Sequence, residues 1–95
     1  MHYALVLETE GCEFLIDTRD LWRPAWVYVR RGLESADVWL DDDEVSFVKP
    51  PHFGPAEQEQ VLELVREHVD ELLDAWHSLR DDVRRGRLGR NVLVE

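Results

Sequence analysis

Apolar residues in the first half of the chain come in short runs broken by turn residues; in the second half they follow a helical period. "YALVL" (3–7), "EFLID" (13–17), "WVYVR" (26–30), "ADVWL" (36–40) and "EVSFV" (44–48) are rich in Val, Leu and aromatic residues and read as strands. "ETEG", "RDLWRP", "RGLES" and "DDD" lie between them as turn material. Spacings of about 8 to 13 residues suit an antiparallel meander. Pro50-Pro51 ends the last strand, because neither residue can donate to a ladder.

Leu62, Val65, Val69, Leu72, Trp76, Leu79 and Val83 then recur at alternating spacings of three and four, which marks one face of an amphipathic helix. Val61 and Leu73 widen the stripe, while Glu63, Glu67, Asp70, Glu71 and Asp74 occupy the solvated side. Gly54 is placed to cap, Pro55 suits the first helical position, and Gly86 supplies a left-handed stop. Glu57 and Glu59 oppose the positive end of the dipole, and Arg80, Arg84 and Arg85 the negative end. As one uninterrupted helix, residues 55–85 would run roughly 45 Å. A compact chain of this size is roughly 32 Å across. About two turns, carrying Leu79 and Val83, would then overhang the body and call for a partner. A break near Ser78 would remove that overhang.

The expected fold is α+β: an antiparallel sheet of four to five strands packed on one long C-terminal helix. It forms a single domain over 1–95, with a strand-rich half (1–50), the helix (54–85) and an Arg-rich tail (86–95). Val92, Leu93 and Val94 could add a short strand.

"RPAWVYVRRG" (23–32) poses the sharpest question. Side chains alternate between the faces of a strand, so Trp26 and Tyr28 share one face and Val27 and Val29 the other. Either both faces are covered, or one is a bare contact surface. The two aromatics fill the sheet–helix core, form a rigid platform for a partner, or stack on a ligand. Arg23, Arg30 and Arg31 would add a positive rim or solvate a strand end.

Composition narrows the class. Apolar residues at 44% and four tryptophans indicate a folded chain. No apolar run approaches the roughly 18 residues of a membrane span. "YALVL" is too short, and too soon followed by Glu8, for a signal-peptide core. A lone cysteine, Cys12, excludes an internal disulfide, so a cytoplasmic protein is expected. Net charge is −10. Outside Arg84, Arg85, Arg87 and Arg90 the chain carries 7 basic against 21 acidic side chains, a net of −14. Such a body repels phosphate backbones, so nucleic acid is not expected as a partner except through that arginine cluster.

Candidate chemistry is thin. "DDDE" (41–44) lacks the alternate spacing and glycine of a calcium loop and reads as a solvated turn. His52, His68 and His77 have no metal-ligand spacing, and "HVDELLDAWH" has no HExxH pattern. Cys12 has no paired cysteine or neighbouring histidine. Ser35, Ser46 and Ser78 lack nucleophile-elbow glycines. No Gly-rich phosphate loop is present. No catalytic, metal or cofactor residue is therefore assigned, and an enzyme is not the expectation. "RRGRLGR" (84–90) is the best polar signal, as a helix C-cap with a solvated loop, an arm for a protein partner, or a grip on nucleic acid.

With these elements placed, the chain resembles a family of small bacterial proteins, the domain of unknown function 4160. "GCEFLIDT" is similar to the family's first aromatic strand, and "SADVWLDDDEVSF" to its Ala-Lys-Phe-Trp-Leu strand and hairpin. "GPAEQEQVLELVREHVDELLDAWHSL" is similar to its final helix, which ends in Leu-Leu-x-x-Trp. "RPAWVYVRRG" stands where the family has Pro-Pro-His-x-His-Val, so its histidine pair falls on Trp26 and Tyr28. Indole and phenol cannot replace metal or proton chemistry of two histidines. The resemblance also implies a protein partner, because members are often encoded beside a second small protein in an arrangement that looks like toxin–antitoxin pairs.

The expected function is a non-enzymatic interaction module, one half of such a two-protein system or a homodimer. Its contact residues would be Trp26 and Tyr28, the helix-end anchors Trp76, Leu79 and Val83, and the cations Arg84, Arg85, Arg87 and Arg90. The alternative is a toxin-type enzyme or binder acting on nucleic acid through the arginine cluster. A third reading takes the acidic body as a mimic of a phosphate backbone for a basic protein.

Overall fold

The structure, a computed structural model, describes residues 3–22, 24–41 and 43–84. Five strands come first: β1 (Tyr3–Thr9), β2 (Cys12–Asp17), β3 (Trp26–Arg31), β4 (Glu34–Trp39) and β5 (Ser46–Phe47). Two helices follow, α1 (Pro55–Glu67) and α2 (Val69–Arg84). The strands form one antiparallel sheet in the order β1-β2-β3-β4-β5, the α+β meander that the turn spacing predicts.

Local chemistry explains the tight connections. Glu10 and Gly11 both take positive φ, 49° and 79°, as a two-residue type I′ loop requires. Gly32, at φ 62°, opens the β3–β4 loop and throws Leu33 into solvent. At the sheet edge β1 is bulged between Leu5 and Leu7, a common way to blunt an edge strand. Gly54 precedes α1 in extended geometry with Pro55 in its first turn, and the Gln58 side chain donates to the Phe53 carbonyl at 2.9 Å.

The single long helix is not observed. At His68 the backbone leaves helical geometry (φ −116°, ψ 14°). Its N–H is shared between the carbonyls of Leu64 and Val65, and its own carbonyl accepts from Leu72 N–H at 2.8 Å. The break falls ten residues before Ser78, at a site with neither Pro nor Gly. Packing supplies the reason: the bend keeps Leu72 and Trp76 of α2 in the same core as Val61, Leu64 and Val65 of α1. A straight rod would carry them off the sheet.

No free overhang remains on α2 within the described residues. Trp76 is 1% exposed, and Leu79 packs against the core. The loop after β2 closes beside the helix end, where Thr18, Leu21 and Trp22 face Arg80, Val83 and Arg84 across a cavity of about 120 Å³. Both helices cover the same side of the sheet, and the core lies between them and Cys12, Phe14, Ile16, Val27, Val29 and Val38. Arg31 ties β3 to α1 through Gln60 at 2.7 Å. Among the described residues no helix is long and apolar enough to cross a membrane.

Candidate interaction surface

Because side chains alternate, the residues between the core positions point away from the helices. On β2 these are Glu13, Leu15 and Asp17; on β3, Trp26, Tyr28 and Arg30; on β4, Ser35, Asp37 and Trp39. Antiparallel register sets them side by side. Leu5, Leu15 and Tyr28 line up across three strands, Tyr28 faces Asp37, and Trp26 faces Trp39. Among the described residues no element covers this side. It is the open face of the sheet.

Trp26 and Tyr28 therefore lie opposite the sheet–helix core, half-buried by their neighbours. The Tyr28 ring meets that of Tyr3 at 5.1 Å, tilted by 36°, a spacing that favours aromatic pairs. Leu15, in register between Leu5 and Tyr28, is only 1% exposed. What the face presents is therefore the half-buried rings of Tyr3, Trp26, Tyr28 and Trp39, with Leu15 sealed beneath them. The Trp26 indole N–H donates to Asp20 at 3.3 Å, which fixes the ring's edge.

Charged groups sit among the rings. Arg30 pairs with Glu13 at 2.8 Å, and that hydrogen bond holds the Glu13 carboxyl below its ordinary pKa. Arg19 grips Asp17 through two guanidinium nitrogens, at 3.2 and 3.3 Å. Burial pushes the Tyr3 hydroxyl up, with Asp17 and Asp37 adding to the shift. Burial likewise raises the Asp37 carboxyl, only partly offset by Lys49. Beside Trp39 the face runs into a groove of about 270 Å³ that Asp41, Glu44 and Ser46 also line.

The other proposed contact residues do not join this surface. Trp76 is in the core, its indole N–H unpartnered among the described residues and the Arg80 guanidinium 5.5 Å over its ring. At 1% exposure it presents no surface to a partner. Val83, 42% exposed, and Arg84 border the small cavity at the helix end, which Arg19 also lines. Arg85, Arg87, Arg90 and the Val92–Val94 run lie outside the described residues. Of the expected positive rim, Arg30 and Arg31 are engaged within the fold, and Arg23 lies outside the described residues. Cys12 is buried, and burial raises its thiol pKa. Among the described residues no three His, Cys, Asp or Glu side chains are grouped to hold a metal ion.

The model of a family described as a domain of unknown function (DUF4160) matches residues 13–77, from Glu13 on β2 to His77 on α2. The chain belongs to the DUF4160 family. The match takes in β2, β3, β4, β5, α1 and most of α2, hence the greater part of the open face as well as the core beneath it. No curated protein and no solved structure matches the chain. The two positions where the resemblance places a histidine pair, here Trp26 and Tyr28, lie on the same face of this DUF4160 sheet.

Proposed function

We propose that this DUF4160 chain is a non-enzymatic protein-interaction module that engages its partner through the open face of the sheet. It acts as one half of a two-protein, toxin–antitoxin-like system or as a homodimer. One observation carries this reading: Tyr3, Trp26, Tyr28 and Trp39 are gathered on a sheet face that no described element covers. Contiguous apolar patches on monomers commonly mark interaction sites, and tyrosine and tryptophan dominate binding hot spots. The open face replaces the helix end as the principal contact surface, since Trp76 and Leu79 are engaged in the core.

Nucleic acid fits this face poorly, because Asp20 and Asp37 would confront phosphate. The alternative rests on Arg84, Arg85, Arg87 and Arg90 alone.

The test is assembly in the native host. Tagged wild type, Tyr28→Arg and Val83→Asp are purified under mild conditions and sized by light scattering, with circular dichroism to establish folding. Wild type and Val83→Asp should run with a stoichiometric protein partner or a second copy, and folded Tyr28→Arg as a lone chain. Assembly that survives Tyr28→Arg, or a wild type that stays alone throughout, overturns the proposal. Strongly salt-dependent RNA binding that is lost on neutralising the four arginines would favour the alternative.

A further inference from the structure

The open face also carries information about the chemistry of what binds it, given that it is the contact surface. Its charges are not balanced. Glu13 is taken by Arg30 and Asp17 by Arg19, while Asp20 accepts from the Trp26 indole. Asp37 is left over: among the described residues it makes no ion pair, and the charges that act on it are Lys49, favourably, and Asp17, unfavourably. It stands directly opposite Tyr28 and two residues from Trp39 on the same face. Lys49 offsets its burial only in part, so among the described residues the fold holds a half-buried carboxylate with no cation at bonding distance.

The groove next to it has the same sign. Trp39, Pro24 and Ala25 give it apolar walls, and Asp41 and Glu44 give it two exposed carboxylates. A cation arriving here is attracted both by carboxylates and by the faces of the rings. Among the described residues, Arg19 and Arg30 of this face are already engaged and Lys49 acts on Asp37 of its own chain, and a second copy adds another net charge of −10. Like-charge juxtaposition opposes that pairing.

We propose that the partner is a different protein presenting a basic segment, an arginine or lysine beside apolar residues. Its cation seats on Asp37 between Tyr28 and Trp39, and its neighbouring side chains enter the groove at Trp39, Asp41 and Glu44. This assignment rests on the open face being the contact surface, and it decides between the two kinds of partner that surface allows.

The probe is N-acetyl-arginine N-methylamide, titrated into the isotope-labelled full chain and followed by nuclear magnetic resonance. Its neutral isostere, the citrulline analogue, serves as control. Arginine should shift the backbone amides of residues 26–28 and 37–39 and the Trp39 indole saturably, with a dissociation constant on the order of millimolar. Citrulline should not. Asp37→Asn should weaken the arginine response about fivefold, whereas Asp74→Asn, an equal change of charge on the helix side, should leave it unchanged. No saturable shift, equal shifts over all acidic surfaces, or an Asp37→Asn response equal to wild type would overturn the proposal. So would a wild type that dimerises by itself through Tyr28. If the arginine response fails while folded Tyr28→Arg still loses its assembly, the surface stands and only the basic chemistry is wrong.

Discussion

Truncating Val29 to alanine removes two methyl groups from a side chain that solvent does not reach, in the layer between the sheet and its helices. At about 0.8 kcal/mol per buried group, the transfer loss is about 1.6 kcal/mol. A residual cavity of roughly 40 Å³ adds about 1 kcal/mol. The expected cost is therefore about 2–3 kcal/mol, out of the roughly 5–14 kcal/mol available to a domain of this size. Tm should fall by about 10–20 °C. Its neighbour Tyr28 is half-buried on the other face. Tyr28→Ala loses the ring contact with Tyr3, about 0.5–1.5 kcal/mol, and thins the cover over Leu15, for about 1–2 kcal/mol in all. Urea unfolding followed by circular dichroism, with m-values checked for constancy, separates the two. The assembly assay should invert the order, Val29→Ala keeping its partner at 25 °C and Tyr28→Ala losing it. A Tyr28→Ala cost equal to or above that of Val29→Ala, with assembly intact, would refute the reasoning. The open face would then be a second sealed core.

The remaining predictions concern the helix end, the thiol and the unpaired carboxylate. Trp76→Ala should cost about 3–5 kcal/mol in chemical denaturation, whereas Val83→Asp should stay within about 0.5 kcal/mol; similar costs would contradict the burial of α2. A thiol reagent should leave Cys12 unmodified in the native protein and react stoichiometrically in denaturant, since the side chain is buried and its thiolate disfavoured. Asp37→Asn should raise Tm at neutral pH. A carboxyl whose folded pKa lies above its ordinary value of 3.8 makes the fold less stable as pH rises through that window. The Tm gain of Asp37→Asn over wild type should therefore be absent at the lowest pH, grow upward from about 3.8 and then level off; a gain largest in acid would reverse the sign and refute it.

Much of the architecture was legible in the chain. Short Val- and aromatic-rich runs between turn clusters mark five strands, and each lies within a few residues of the observed one. Gly54-Pro55 marks the helix start because that signal is local. Leu64 falls outside the stripe that the three-and-four spacing marks, because that stripe runs through Leu62 and Val69, which lie at the flank of the core. The bend at His68 had no local signal, neither Pro nor Gly. It arises because a helix must follow a limited sheet to bury Leu72 and Trp76, and sequence periodicity does not record how large that sheet is.

The contact surface divides in the same way. Alternation alone put Trp26 with Tyr28 and apart from Val27 and Val29, since the period of two belongs to any strand. Asp37 and Trp39 could have been paired by the same rule, with Val38 opposite them in "ADVWL". Which face the helices cover, and that Tyr3, Leu15, Tyr28 and Asp37 come together, was decided only by the sheet. Those residues are remote along the chain and become neighbours through antiparallel register. Both helices follow the last strand and pack on one side, so among the described residues neither of them covers the aromatic face.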